Sequence, residues 1–191
     1  MAKNSNYTMQ HRRRREGRTN YDRRLKLLVS RKARLVVRRT LKGMSAQIVQ
    51  YTPDGDKVIF AAKSSELKKY GLPVVNGNIP VAYLTGLLLA QKAKSFSGEL
   101  IVDYGVRYLT AQSRLFALTK GAIDGGLQII SGDDFFPEDD LCAGKNIESF
   151  AESIKENTQL YQKQFSAYIK QNIDPVAISK TYEKVRESIQ K

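Results

Sequence analysis

Apolar residues do not recur with any period until residue 21, and beyond that point the spacing changes several times along the chain. Residues 1–19 carry no periodic apolar positions, and the run His11-Arg-Arg-Arg-Arg15 predicts an arm that stays disordered until a polyanion neutralises it. In residues 21–29, Tyr21, Leu25, Leu28 and Val29 return at helical spacing with Arg23, Arg24 and Lys26 on the other side, which predicts a short basic amphipathic helix. Residues 35–37, 44–51 and 58–62 read as strands, and Pro53-Asp-Gly55 supplies the turn between the last two, so the three predict an antiparallel meander. Ser64-Ser-Glu66 opens a short helix that stops at Gly71. After the loop Asn76-Gly-Asn78, Pro80 is a good first residue for a Leu- and Ala-rich helix reaching about residue 96, whose apolar faces all round predict burial.

The second half alternates strand and helix. Residues 99–103 (ELIVD) suit a strand buried on both faces, residues 112–123 are helical and end at Gly125-Gly126, and residues 127–130 form a further strand. Such alternation implies crossover connections, and with the meander it predicts a compact mixed-sheet α/β sandwich. An acidic loop with Asp133, Asp134, Glu138, Asp139 and Asp140 closes the globule. From residue 145 the pattern is helical, with Phe150, Ile154, Tyr161, Phe165 and Tyr168/Ile169 on one face. Asp174-Pro175 then caps a last helix in which Ile178, Tyr182, Val185 and Ile189 step by four, three and four. These helices either form a hairpin or dock separately on a partner. The organisation expected is a basic extension with a short helix at 1–33, an α/β domain at 34–145 and a helical appendage at 146–191.

Charge changes this picture most. The chain has 191 residues and 32 Lys+Arg against 19 Asp+Glu, but residues 1–43 alone hold 15 of the bases and only two of the acids, Glu16 and Asp22. The remaining 17 bases and 17 acids balance, so the whole excess lies in one terminal segment. Self-repulsion opposes compaction of that segment, and a dense row of phosphates is its natural complement. Eleven of the 15 bases are Arg, whose planar guanidinium clamps phosphate through two bonds and stacks on unpaired bases, which favours structured RNA over duplex DNA. If about eight of these bases each displace a counterion, log K falls with log salt with a slope of order six to seven. Tyr7, Tyr21 and Tyr51 are candidate stacking surfaces, Tyr51 being equally suited to packing under the sheet.

Other chemistry is poorly supported. One cysteine, Cys142, and one histidine, His11, exclude an intramolecular disulfide and a zinc site of the Cys/His type. A Ser-His-Asp triad would have to recruit His11 from inside the arginine run, where flexibility spoils its geometry. Gly144-Lys145 is followed by Asn146 and lacks the earlier glycine of a Walker A loop, and there is no GxGxxG, so no cofactor is expected. The acidic loop permits an alternative, a magnesium-dependent RNA-processing enzyme, although hard-cation sites need convergent oxygens rather than a sequence cluster. No membrane span, secretory signal or apolar membrane anchor is expected, and a cytoplasmic, reducing setting fits. An Arg-rich organelle transit peptide is the other reading of the N-terminus.

Four ordered stretches are recognisable: YDRRLKLLVSRKARLVVRR at 21–39, AQIVQY at 46–51, PVAYLTGLLLA at 80–90 and KGAIDGGL at 120–127. Over roughly residues 7–150 the chain resembles the eighteenth large-subunit ribosomal protein family in its archaeal form, the family that holds 5S ribosomal RNA. The resemblance implies a non-catalytic structural constituent of the large subunit that binds 5S rRNA and attaches it to the large rRNA in the central protuberance, beside neighbouring large-subunit proteins. Its RNA-contacting stretch maps onto Arg12, Arg13, Arg14, Arg15, Arg18, Arg23, Arg24, Lys26, Arg31, Lys32, Arg34, Arg38, Arg39 and Lys42, with Tyr21 among them as the stacking candidate named above. Archaeal relatives often carry a basic His-Arg-Pro-Thr-Lys-Gly-Ser-Arg loop where this chain reads RYLTAQSR at 107–114, so Arg107 and Arg114 remain as contacts while the loop lysine is lost.

Overall fold

Alternation between positions 33 and 63 sorts side chains onto two faces of a sheet. In the computed structural model, which describes residues 8–132 and 135–190, β1 (Ala33–Arg39), β2 (Met44–Thr52) and β3 (Gly55–Lys63) form the expected meander. Leu35 pairs with Ile48 and Val37 with Ala46, and all four side chains are fully buried on the inner face. A register shift at Ile48/Val49 bends β2 against β3. Two further strands, β4 (Leu100–Asp103) and β5 (Ile129–Ile130), add in parallel to the other side of β1, giving the order β3-β2-β1-β4-β5. The fold class is thus the expected mixed α/β arrangement.

The inner face is covered by two helices, α3 (Ile79–Lys92) and α4 (Arg114–Asp124). The Asn78 side chain caps α3 by accepting from Val81 N at 3.2 Å, Pro80 sits in its first turn, and every residue from Pro80 to Ala90 is buried. The two helices meet almost backbone to backbone. A Cβ at Gly86 would lie 2.1 Å from Leu118 O, and one at Gly121 would lie 2.1 Å from Tyr83 O. Only glycine permits this approach, and it brings α3 and α4 into one layer on the sheet.

Several boundaries move. The buried helix ends at Lys92 rather than near residue 96, and α4 starts at Arg114 because Ser113 is its N-cap. The strand expected at 127–130 shortens to Ile129–Ile130. Part of the expected acidic loop is a helical turn, α5 (Asp139–Ala143), whereas Asp133 and Asp134 lie outside the described residues. Beyond it the long helical pattern breaks into α6 (Lys145–Ser153), α7 (Thr158–Gln164) and α8 (Ser166–Ile169), partly because Asn157 caps a new start by accepting from Leu160 N. A 3-10 turn at Pro175–Ala177 leads into the last helix, α9 (Ile178–Gln190).

Of the two fates expected for the C-terminal helices, the fold adopts neither: they close onto the domain's own core. Ile178, Tyr182, Val185 and Ile189 are all buried there, and α9 packs on α3. Asn76 Nδ2 donates to Tyr168 Oη at 3.3 Å and Asn78 Nδ2 to Tyr182 Oη at 3.1 Å, tying the loop before α3 to this segment. Burial raises the Tyr182 phenol well above its ordinary pKa, so it stays a neutral hydrogen-bonding group.

Candidate nucleic-acid interface

The period of β1 that buries Leu35 and Val37 places Arg34 and Arg38 on the opposite face of the sheet. Arg34 is only 1 % exposed, so its charge must be met inside the protein. Its Nη2 lies 2.8 Å from Asp56 Oδ1, an ion pair not aligned as a hydrogen bond, and its Nη1 lies 3.8 Å from Asp103 Oδ2. The same two carboxylates take two more guanidinium groups. Arg24 Nη2 donates to both Asp56 oxygens at 3.1 and 3.0 Å, and Arg38 Nη2 donates to Asp103 Oδ2 at 3.1 Å. Arg38 is further fixed by donating from Nη1 to the carbonyls of Asp103, 2.6 Å, and Val37, 2.8 Å. Burial by itself would raise the Asp56 carboxyl, but the close guanidinium groups of Arg34 and Arg24, the latter hydrogen-bonded to it, outweigh burial and hold the pKa below the usual carboxylate value.

This network anchors the basic N-terminal segment. No residue of α2 (Tyr21–Val29) is buried, and the helix is tied down by polar contacts: Asn20 caps it by accepting from Arg23 N, Arg23 Nη1 donates to Gly105 O at 3.1 Å, and Arg24 reaches Asp56. Two of the apolar residues of its predicted face, Leu25 and Val29, remain 64 % and 73 % exposed. Before it, α1 (Arg12–Arg15) is a single helical turn rather than a disordered run, closed by Glu16, which pairs with Arg12 at 3.6 Å and Arg18 at 3.2 Å. Arg14 approaches Asp22 at 3.9 Å, and His11 and Tyr21 rings lie 5.2 Å apart. Between these turns and the outer face of the sheet runs a cleft of about 500 Å³, lined by Arg13, Arg18, Tyr21, Arg23, Arg24 and Arg38 together with Asp56 and Asp103.

A second cleft, of about 410 Å³, opens at the end of the sheet, where Arg39 meets the β4–α4 loop with Arg107 and the first turn of α4 with Arg114. Arg114 is held by donating from Nη1 to Gly77 O. Tyr108, on the same loop, is 99 % exposed.

The predicted contact residues therefore fall into three groups. Six line the first cleft and three the second. Arg12, Arg14, Arg15, Lys26, Arg31, Lys32 and Lys42 line neither; all are exposed, and Lys32 is paired with Glu99. Arg34 departs from the expectation: its burial removes it from any surface, and it acts as the internal cation that fixes Asp56 and Asp103. Tyr7 lies outside the described residues, and Tyr51 is half-exposed at the end of β2. Sequence reasoning missed Asp56, Asp103 and Tyr108. The two aspartates carry no local signal, since they become neighbours only when the β2–β3 hairpin and the end of β4 flank β1; Tyr108 was detectable as an aromatic residue directly after Arg107 in a loop.

The acidic segment shows no convergence. Asp139 pairs with Lys120 at 2.7 Å and Asp140 with Lys145 at 2.6 Å, and among the described residues no three His, Cys, Asp or Glu side chains cluster as metal ligands. Among the same residues, no helix is long and apolar enough to cross a membrane.

A row of guanidinium groups, oriented by two carboxylates on a mixed sheet, defines a basic α/β protein with its cations gathered on one segment. Comparison with known proteins gives this class its family. Residues 5–99 match the family model described as ribosomal large subunit proteins 60S L5 and 50S L18. The chain is 43 % identical over 192 residues to large ribosomal subunit protein uL18 of Thermofilum pendens, covering 100 % of this chain and 98 % of the relative. It is 44 % identical to that of Korarchaeum cryptofilum, covering 99 % and 97 %, and 40 % identical to that of Methanococcus maripaludis, covering 99 % and 98 %. The chain belongs to the uL18 family of large ribosomal subunit proteins. That family is structural and non-enzymatic, which sets aside the magnesium-dependent enzyme reading of the acidic segment.

Proposed function

We propose that this large-subunit protein binds 5S rRNA and attaches it to the large rRNA in the central protuberance, beside neighbouring large-subunit proteins. The observation that carries the reading is the terminal concentration of cations: 15 of 32 Lys and Arg in residues 1–43, opposed there by two acids. Docking of α2 through Arg23 and Arg24 holds exposed members of this set, among them Arg12 to Arg15, Arg18, Lys26 and Arg31, on or beside a folded domain. Preorganisation of that kind lowers the ordering entropy that a free basic tail loses on binding. Charge neutralisation supplies affinity, and the fixed spacing of the arginines in the first cleft supplies recognition of RNA shape.

The test is competition between 5S rRNA and an unrelated folded RNA of equal length for the full chain at physiological salt. A clear preference for 5S rRNA is expected. Equal binding would reduce the chain to a general polyanion binder and sink the 5S assignment.

A further inference from the structure

We propose that the cleft at the end of the sheet seats one unpaired RNA nucleotide, with its base stacked on Tyr108 and its phosphate held by Arg39 and Arg107. The inference rests on the RNA-binding reading above and adds to it a second, chemically distinct contact.

Tyr108 is 99 % exposed and contributes nothing to the core, yet it stands on a cationic loop that also carries Arg107. An aromatic face presented in full to solvent beside guanidinium groups is the arrangement on which an unstacked base sits, because every base offers a π-face and its phosphate needs a cation nearby. The cleft has the size for a single nucleotide, about 410 Å³.

Its electrostatics differ from those of the first cleft. There, Asp56 and Asp103 already balance part of the arginine charge. Here the lining includes Arg39, Arg107 and Arg114 and, among the described residues, no carboxylate. Among the described residues Arg39 and Arg107 form no ion pair, while Arg114 is occupied with the Gly77 carbonyl and builds the wall. The first turn of the eleven-residue helix α4 also contributes, since it holds no acid. Its N-cap residue Ser113 lines the cleft with a buried hydroxyl that has no partner among the described residues. Positive charge, unpartnered donors and one exposed ring converge on a phosphate with a base attached. A fully paired stem keeps its bases inward and would leave the ring unused; an acidic peptide would use the cations but not the ring.

The experiment uses the full chain and two RNA hairpins of identical stem, one fully paired and one carrying a single unpaired aminopurine, with binding and aminopurine fluorescence read together. Tyr108→Ala should weaken binding of the hairpin with the unpaired base by about tenfold, abolish the fluorescence quenching, and leave the paired hairpin unaffected, while Tyr108→Phe should behave as the parent. Arg107→Ala should weaken both hairpins less selectively. Equal loss on both RNAs for Tyr108→Ala, or no loss on either, would overturn the nucleotide seat while leaving general RNA binding standing. Failure of the parent chain to bind either hairpin would overturn the RNA-binding reading itself, and the seat with it.

Discussion

Replacing Arg12, Arg13, Arg14 and Arg15 together by Ala gives the sharpest reading of how the arm works. The turn buries none of its residues, so the substitution leaves the folded domain intact, and its thermal unfolding should stay within about 0.5 kcal/mol of the parent. In the free protein Arg12 pairs with Glu16 and Arg14 with Asp22 at 3.6 and 3.9 Å, exposed contacts worth about 0–1 kcal/mol each, which phosphate displaces readily. Four consecutive helical positions radiate at about 100° per residue, so one RNA backbone meets at least two of the four side chains, and all four only if RNA wraps the turn. Each phosphate contact contributes roughly 0.7–0.9 to the slope of log K against log salt, so the slope should drop by about 1.5 to 3. Extrapolated from a common value near 1 M, that slope change is a loss of roughly 30- to 1,000-fold at 0.1 M salt. Filter binding or fluorescence anisotropy with 5S rRNA over a salt series measures it. A variant whose affinity falls equally at all salt concentrations, with its slope unchanged, would refute counterion displacement by these residues.

Other expectations follow from single contacts. Gly121→Ala places a methyl 2.1 Å from the Tyr83 carbonyl, where backbone cannot yield, and should lower stability by about 3 kcal/mol or more in urea unfolding, as should Gly86→Ala against Leu118 O. Asp56 has its pKa depressed on folding, so its stabilising effect is complete above about pH 4 and is lost as pH falls through the lower folded-state value; Asp56→Asn should flatten that part of an acid-unfolding profile. The same substitution costs about 1–2 kcal/mol at neutral pH rather than the value for a fully buried pair, because the Asp56 side chain is 29 % exposed and Asp103 stays beside Arg34. Cys142 is buried and its thiol is pushed up to about 11, so a thiol reagent at pH 8 should label it only as fast as the native chain opens, and labelling as fast as a free thiol would contradict the packing.

Elements defined by local pattern were legible in the sequence, and those defined by long-range partners were not. The meander was visible because alternation and a Pro-Asp-Gly turn are local, and the buried helix because Leu and Ala run around it on every side. The C-terminal helices were visible as amphipathic stretches, but their partner was not, since the apolar face of α9 fits α3 of the same chain as readily as a neighbouring protein. The same limit applied to the site. The arginine-rich segment announced itself by composition, yet nothing local separated Arg34, which is buried, from Arg38, which is not, although the two lie on the same face of β1 two strand periods apart. What separates them is coverage: Asp56 and Arg24 close over Arg34, whereas Arg38 stands at the rim beside Gly105.

That difference also explains how so basic a segment can be attached to a folded domain at all. An arginine on the central strand, 1 % exposed, would be intolerable without a counter-charge, and two aspartates from different strands supply it. Two carboxylates cannot balance three guanidinium groups, so the cluster keeps a net positive charge and turns the surplus outward through Arg24 and Arg38. Arg34 thus acts on the surface indirectly, by fixing the acids that fix its neighbours. Replacing Arg34 with a neutral residue of similar size would leave Asp56 and Asp103 facing each other without their shared cation. The arm would keep Arg23 on the Gly105 carbonyl and Arg24 on Asp56, but the acids that orient Arg24 and Arg38 would lose their buried partner, so the spacing of the exposed charges would loosen although their number stayed the same.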